Sequence, residues 1–195
     1  MRLSLRFAFA LLLTLALAGP IASGRALAGG SYDAGGKTIL VIRHAEQQSD
    51  GVGLSAAGVA RANAYPDYFK NFTVDGQPLR LDYLFAGADS ASSDRPRLTI
   101  EPTGQALGLP IDSSIKTKHI REMADQIRHL PAWASVLVCW RHGEIPDLLR
   151  ALGADPNEVL PSGRWPNKVF DWVIQLRFGP DRQLREIKKI IENMG

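Results

Sequence analysis

Two short apolar runs along the chain are each followed at once by an arginine and a histidine. Thr38–Ile42 leads into Arg43–His44, and Ser135–Trp140 leads into Arg141–His142. Continuous apolar runs of this length, rich in Val, Ile and Leu, indicate strands that are buried on both faces of a parallel sheet. Because ligands bind beyond the carboxyl ends of such strands, we expect both pairs at one functional edge of the sheet.

Helical and extended patterns alternate along the rest of the chain. Helices are predicted to begin near residues 55, 95, 118 and 145, and further strands are predicted at 81–86, 110–115 and 169–178. Pro66 is expected to kink or restart the first helix, and the second helix is expected to break at 102–104 and to end near Gly108. The tail over 184–191 fits either a helix face or a returning strand, and we favour a C-terminal hairpin. The alternation predicts an α/β fold with three layers, α/β/α, and a mostly parallel central sheet.

The first 28 residues have the composition of a secretory signal. A basic start precedes an apolar stretch over Phe7–Ala18, and Ala26–Ala28 fits a small-residue cleavage site. Cleavage there leaves 167 of the 195 residues, with a flexible leader over 29–36 and a single domain over 37–195. The stretch is short for a membrane span. We therefore expect an exported protein, periplasmic or secreted, without stable membrane association after cleavage; an uncleaved anchor is the alternative.

Charge and cysteine content exclude several classes of function. The chain has 23 basic and 20 acidic residues, and the predicted signal contains three arginines and no acid, so the remainder is balanced. A balanced charge gives no reason to expect nucleic acid or an anionic membrane as partner. Cys139, the single cysteine, is interpreted as a small buried hydrophobe. The histidines and acids lack zinc-type spacing, so neither a metal nor a cofactor is expected.

Four blocks of the sequence resemble the histidine phosphatase superfamily, the phosphoglycerate mutase-like proteins. Arg43–Glu46 is similar to the Arg-His-Gly motif of that family, and Ala45 is tolerated at the usual glycine position if its φ is negative. The other blocks resemble the family's first helix entry, second arginine and second histidine: Gly53–Ala62, Ser92–Thr99 and Trp140–Pro146. They follow the family's order and span nearly the whole predicted domain.

The resemblance implies a metal-independent phosphomonoester hydrolase that forms a phosphohistidine on His44. Arg43 and Arg95 would bind the phosphoryl oxygens with planar, forked donors, and His142 would stabilise the developing negative charge. A phosphomutase is less favoured, because no insertion that could enclose a second phosphate lies between Arg95 and His142. Arg141 departs from the family, which more often has a small or acidic residue there.

The proton donor is left open among three glutamates. Glu122 follows Arg95 in the sequence at a separation similar to that of the family's acid. To hold a proton it would need partial burial near other acids. A solvated glutamate at a helix start is the alternative. Glu46 is a candidate for the pocket wall and for substrate binding, and Glu144 for a charge that precedes the next helix. Trp140 is a candidate for stacking on the substrate.

The expected partner is a small phosphorylated substrate or a phosphoprotein. A catalytically inactive module that binds phosphate or a phosphoprotein through the same residues is the alternative function. The presence of both arginines and both histidines favours the enzyme.

Overall fold

The computed structural model describes residues 36–194. The predicted signal and all but the last residue of the predicted leader lie outside the described residues. The strands are β1 (Thr38–Arg43), β2 (Thr73–Val74), β3 (Gln77–Pro78), β4 (Tyr83–Ala86), β5 (Ile111–Asp112), β6 (Ser135–Trp140), β7 (Trp172–Phe178) and β8 (Leu184–Ile191). The helices are α1 (Ala56–Lys70), α2 (Arg95–Leu107), α3 (Ile120–His129) and α4 (Ile145–Ala151). No helix among these is long and apolar enough to cross a membrane.

Six strands form one sheet in the order β5-β4-β6-β1-β7-β8. The four strands from β5 to β1 in this order are parallel, whereas β7 is antiparallel to β1 and β8 is antiparallel to β7. The predicted α/β fold, the mostly parallel sheet and the C-terminal hairpin are thus confirmed. The short pair β2-β3 stands apart from this sheet and was not predicted.

The two central strands are buried along their whole length because helices cover both faces of the sheet. Ile39 and Val41 of β1 point to one face and Leu40 and Ile42 to the other. Partners on the first face come from α3 and α4, among them Met123, Ile127 and Leu148. Those on the second face come from α1 and α2, among them Tyr65, Phe69 and Ile100. This arrangement is the predicted three-layer architecture.

Pro66 and Pro102 lie inside continuous helices, so a restart at Pro66 and a break at 102–104 are both wrong. α1 runs through Pro66 and α2 through Pro102 without a break. A proline removes one backbone hydrogen bond, but tertiary packing of a buried helix face outweighs local propensity. α2 ends where predicted, because Gly108 adopts a φ of 65°, the left-handed conformation that caps a helix.

The sheet register brings the ends of β1 and β6 to the same level. Arg43 lies opposite Trp140, and the backbone N–H of His44 donates to the Trp140 carbonyl at 3.1 Å. β4 ends beside them, and α2 begins at Arg95 after the loop that follows β4. Residues that are distant in the chain therefore meet at the carboxyl edge of the sheet.

Candidate active site

His44 lies directly after β1 with only 2% of its surface exposed. Its Nδ1 is 2.8 Å from the carbonyl oxygen of Ala45. A carbonyl can only accept, so Nδ1 carries the ring hydrogen and Nε2 keeps its lone pair. Burial, reinforced by the positive charges of Arg43 and Arg95, lowers the pKa of His44 to about 4. The ring is therefore neutral at pH 7 and presents a nucleophilic nitrogen.

The backbone after His44 is fixed by the first turn of α2. The N–H of Ala45 donates to Thr99 Oγ1 at 2.9 Å, and the Thr99 hydroxyl donates to the Arg95 carbonyl at 2.7 Å. Ala45 is not among the residues with positive φ, so alanine fits at this position as expected. The same threonine thus holds the histidine segment and the second arginine at a fixed separation.

The Arg43 guanidinium is held on one side by the segment that precedes β7. Its Nη1 donates to the carbonyl oxygens of Pro166, Asn167 and Val169 at 3.3, 2.7 and 3.0 Å. Its Cζ lies 3.8 Å from the centre of the Phe170 ring, a cation–π contact. Nε is buried and has no hydrogen-bond partner within residues 36–194. The Nε–Nη2 edge is therefore available for two parallel hydrogen bonds to an anion.

Arg95 and His142 complete the group around His44. Arg95 Nη1 donates to the Gly51 carbonyl at 3.3 Å, and His142 Nε2 lies 3.0 Å from Asn167 Oδ1. The ring centres of His44 and His142 are 6.5 Å apart, in an edge-to-face arrangement. The charges of Arg43, Arg95 and His142 all act to lower the pKa of His44. The fold thus brings together the four residues that the sequence nominated.

Buried nitrogen atoms without partners are concentrated in this group. Across the described part of the chain, four buried side-chain polar atoms lack a hydrogen-bond partner. Three of them are Nε of Arg43, Nε of Arg95 and Nδ1 of His142; the fourth is Oγ1 of Thr103. Each such group costs about 1–3 kcal/mol, so native proteins seldom leave them without cause. Three together, in a positive field, indicate a site for an anion.

No protein-family model matches the chain, and a sequence comparison with curated proteins finds no relative. Solved structures do match its fold. A protein histidine phosphatase, SixA, complexed with tungstate is 15% identical, with 79% of this chain and 96% of that chain covered and a TM-score of 0.51. Phosphoglycerate mutase from Plasmodium falciparum is 13% identical, with 83% of this chain and 95% of that chain covered and a TM-score of 0.54. A mycobacterial glucosyl-3-phosphoglycerate phosphatase is 14% identical, with 82% of this chain and 100% of that chain covered and a TM-score of 0.53. The chain has the histidine phosphatase fold.

Within the histidine phosphatase fold, Glu122 does not have the environment that the sequence suggested. Its side chain is 60% exposed on α3, and its carboxylate lies 3.0 Å from Nδ1 of His119. Glu122 therefore lacks the partial burial near other acids that a proton donor at this position would need. Glu122 lies in the first turn of the helix predicted to begin near residue 118, but the sequence did not indicate the direction in which its side chain points. Glu122 has the features of the alternative, a solvated glutamate at a helix start.

The other two glutamates have different partners. Glu46 is bound through both carboxylate oxygens by Arg61, at 2.8 and 3.1 Å. Glu144 directly precedes α4 and is 22% exposed, with its carboxylate 4.0 Å from Arg141 Nε. Its negative charge acts to raise the pKa of His142, against the lowering caused by burial. Of the three candidates, Glu144 is thus the one whose charge acts on His142.

Three neighbouring residues of β6 and its end have contrasting environments. Trp140 is fully buried and its Nε1 donates to the Thr117 carbonyl at 3.0 Å, so the expectation that it stacks on the substrate is wrong. Cys139 is also fully buried, and burial raises the pKa of its thiol, consistent with a small hydrophobe. Arg141 is 43% exposed, and its positive charge acts to lower the pKa of Arg95. A third guanidinium therefore borders the site.

Sequence reasoning missed two sets of contacts. One is Asn167 with the carbonyls around it, which orient Arg43 and His142. The other is Arg61, which binds Glu46 and the buried Glu192. Arg43 is 124 positions from Asn167, and Arg61 is 131 positions from Glu192, so these contacts leave no local pattern. The arginine at position 61, one turn inside the first helix, was the available signal.

A large cavity of about 1400 Å³ lies elsewhere in the molecule. Its lining includes the first residues of three strands, Thr38, Tyr83 and Ser135, so it opens at the amino edge of the sheet. The candidate site lies at the carboxyl edge, where ligands of open α/β sheets bind. Arrangement of side chains, and not the size of the opening, identifies the site.

Proposed function

We propose that this protein is a phosphomonoester hydrolase of the histidine phosphatase superfamily that acts through a phosphohistidine on His44. The observation that carries the proposal is the group of three buried, unpartnered nitrogens around the His44 ring. A phosphoryl group supplies oxygen acceptors for all of them. Of the three similar structures described above, one was solved with tungstate, a tetrahedral oxyanion, and two are named as phosphatases.

In the first step, Nε2 of His44 attacks phosphorus and the bond between phosphorus and the ester oxygen breaks. The bond between Nδ1 and the Ala45 carbonyl keeps the ring in the required tautomer. The Nε–Nη2 edge of Arg43 and the Arg95 guanidinium hold the equatorial oxygens, whose charge develops in the transition state. The leaving oxygen takes a proton from a neighbouring acid or from water.

His142 contributes through Nδ1. Whichever way the Asn167 amide is oriented, Nε2 has a partner and Nδ1 has none. A phosphoryl dianion beside the ring raises the pKa of His142, so the protonated ring is favoured when the substrate is bound. Nδ1 then donates to a phosphoryl oxygen.

In the second step, water attacks phosphorus and the bond to His44 Nε2 breaks. The water proton returns to the group that protonated the leaving oxygen, and inorganic phosphate is released. The arginines and His142 supply the positive field throughout, so this route needs no metal ion. Small phosphorylated molecules and phosphoproteins both satisfy the chemistry.

The test uses an activated aryl phosphate, whose leaving group departs without help from a strong acid. We expect turnover by the wild-type protein, also in a strong chelator, and an acid-labile phosphoprotein after rapid quenching. His44→Ala abolishes both signals. His129→Ala is the matched control, because His129 is exposed on α3 and its ring bonds the Asp125 carbonyl. Phosphate binding without turnover by the wild-type protein identifies the inactive binding module instead.

We also infer that the protein is exported, from the signal-like composition of residues 1–28. Expression of the full chain in a bacterium followed by fractionation and N-terminal sequencing tests this inference. A mature protein that begins at Gly29 supports it. An intact Met1 in the cytoplasmic fraction contradicts it.

A further inference from the structure

A chain of ion pairs leads from the candidate site into the core beneath α1. Arg61 Nε lies 3.1 Å from each oxygen of Glu46, and Nη2 lies 2.8 Å from Oε1. Arg61 Nη1 lies 3.0 Å from Oε2 of Glu192, whose side chain has no exposed surface. The Tyr65 hydroxyl donates to Glu192 at 3.0 Å. Arg61 thus divides its donors between a carboxylate at the site and one in the core.

The backbone at Glu46 cannot easily move away from this arginine. The Ser55 N–H donates to the Glu46 carbonyl at 2.9 Å. α1 also passes so close that a Cβ built on Gly58 lies 2.2 Å from that same oxygen. Gly58 and Arg61 are three residues apart, on one side of the helix. Close packing at the glycine therefore brings Arg61 onto the Glu46 carboxylate.

Glu46 also interacts with Arg43. The charges of Arg61 and Arg43 both lower the pKa of the Glu46 carboxyl, and Glu46 in turn acts to raise the pKa of Arg43. Glu46 is only 24% exposed, so an unpaired charge there is unfavourable. Without Arg61, we expect the Glu46 carboxylate to pair with Arg43, which lies three residues before it and already acts on its charge. That pairing occupies the donors that the substrate needs.

We propose that Arg61 is a positioning residue that holds Glu46 away from Arg43 and so keeps the Arg43 donors available to the substrate phosphoryl group. This inference rests on the proposed function of Arg43 as a phosphoryl ligand. Glu192 and Tyr65 fix the far side of the Arg61 guanidinium. A planar fork is required, because one lysine ammonium cannot bind Glu46 through two oxygens and Glu192 as well.

A double-mutant cycle on Arg61 and Glu46 tests the proposal, with the dissociation constant of orthovanadate, measured by calorimetry, as the readout. We expect Arg61→Met to weaken orthovanadate by about tenfold or more, because Glu46 then competes for Arg43. The same change made in Glu46→Gln protein is expected to cost less than about threefold, because the competitor is neutral. Equal weakening in both backgrounds overturns the proposal, since a purely structural role of Arg61 predicts that result. No weakening in either background overturns it as well.

The Arg61→Met variant leaves Glu192 without its cation in the core. Burial raises the pKa of Glu192 to about 7 and Arg61 opposes that rise, so loss of Arg61 favours the neutral acid and limits the folding cost. Should the variant still fail to fold, Arg61→Lys keeps a positive charge but loses the fork. It is expected to weaken orthovanadate by about threefold or more, and Glu46→Gln is expected to abolish that loss. Unchanged affinity in Arg61→Lys overturns the proposal.

Arg97→Met is the matched control, because Arg97 is likewise a helix arginine paired with two acids, Asp89 and Glu101, but lies on α2 and outside the site. Its orthovanadate affinity is expected to equal that of the wild type. Wild-type protein that binds orthovanadate without hydrolysing aryl phosphate overturns the hydrolase alone and leaves the cycle readable. Wild-type protein that does not bind orthovanadate overturns both proposals.

Discussion

The chain contains two nearly identical tetrapeptides, Arg43–Glu46 and Arg141–Glu144, which follow adjacent parallel strands. The first reads Arg-His-Ala-Glu and the second Arg-His-Gly-Glu. Because Arg43 lies opposite Trp140, the second tetrapeptide is displaced by one residue along the sheet. His44 therefore lies at the level of Arg141, and His142 lies beyond it.

This displacement gives the two tetrapeptides different environments. Arg43 and His44 are buried, and their backbone continues the sheet through the bond to Trp140. Arg141 is 43% exposed, and its carbonyl accepts from the N–H groups of Glu144 and Ile145 as the chain turns into α4. The same residue types thus give a buried arginine and a buried histidine after β1, and a more exposed arginine at the edge of the site after β6. The role of such a motif depends on where its strand ends.

The strongest contrast is expected between the two histidines. His44→Ala removes the proposed nucleophile and should lower kcat for an aryl phosphate on the order of 10⁴-fold or more. His142→Ala removes one donor to the transition state and should cost about 10²–10³-fold. Only the wild type and the His142 variant should form a phosphoprotein in a quench experiment. Equal losses, with phosphoprotein in neither, would contradict the division of roles.

Two of the candidate proton donors, Glu144 at the end of the second tetrapeptide and Glu122 on α3, should differ in their effect on alkyl and aryl phosphates. Glu144 acts on His142, whereas Glu122 is exposed and paired with His119. Glu144→Gln is expected to slow an alkyl phosphate about 10²-fold and an activated aryl phosphate less than about threefold, because only the alkoxide needs a proton. Glu122→Gln should change neither substrate by more than about twofold. A selective loss in the Glu122 variant would restore the family-based assignment of the donor.

The contrast between the tetrapeptides also shows how far sequence reasoning reaches. The ends of β1 and β6, and the meeting of Arg43, His44, Arg95 and His142, follow from local apolar runs and from the rule for parallel sheets. Side-chain direction does not follow from them. Trp140 was nominated for the pocket and points into the core, because that side of β6 packs on α3 and α4.

Long-range partners were beyond the reach of local patterns. Arg61 and Glu192 are 131 residues apart and become neighbours only because β8 returns beside β7. Pro66 and Pro102 locally disfavour a continuous helix. The packing of Tyr65, Phe69 and Ile100 against the sheet nevertheless keeps α1 and α2 unbroken. These features depend on the assembled fold.

Exchange of arginine for lysine should distinguish the two tetrapeptides again. Arg43→Lys keeps the charge but loses both the fork and the three bonds that Nη1 makes to carbonyl oxygens. We expect kcat/KM to fall about 30-fold, equivalent to about 2 kcal/mol of transition-state stabilisation. Arg141→Lys is expected to stay within about threefold, because the side chain is exposed and charge suffices at that range. A larger loss in the Arg141 variant would make the second tetrapeptide a direct phosphoryl ligand.

The smallest predicted effect concerns stability and pH. Burial lowers the pKa of folded His44 to about 4 from an ordinary value of 6.5, so the fold favours the neutral ring. Its contribution is fully present above pH 6.5 and is lost as pH falls toward 4, since the unfolded chain then binds the proton more readily. Between pH 7 and 5.5 the loss is on the order of 1 kcal/mol.

Urea denaturation at these two pH values measures the effect. His44→Asn cannot gain the proton, so its free energy of unfolding should fall by about 1 kcal/mol less than that of the wild type over this interval. His142→Asn should show a change in the same direction but smaller, because burial lowers the pKa of that more exposed histidine less strongly. If the wild type and the His44 variant lose stability in parallel, His44 is not held neutral by the fold. The proposed nucleophile would then be partly protonated over this pH interval, and the contrast between the two tetrapeptides would rest on geometry alone.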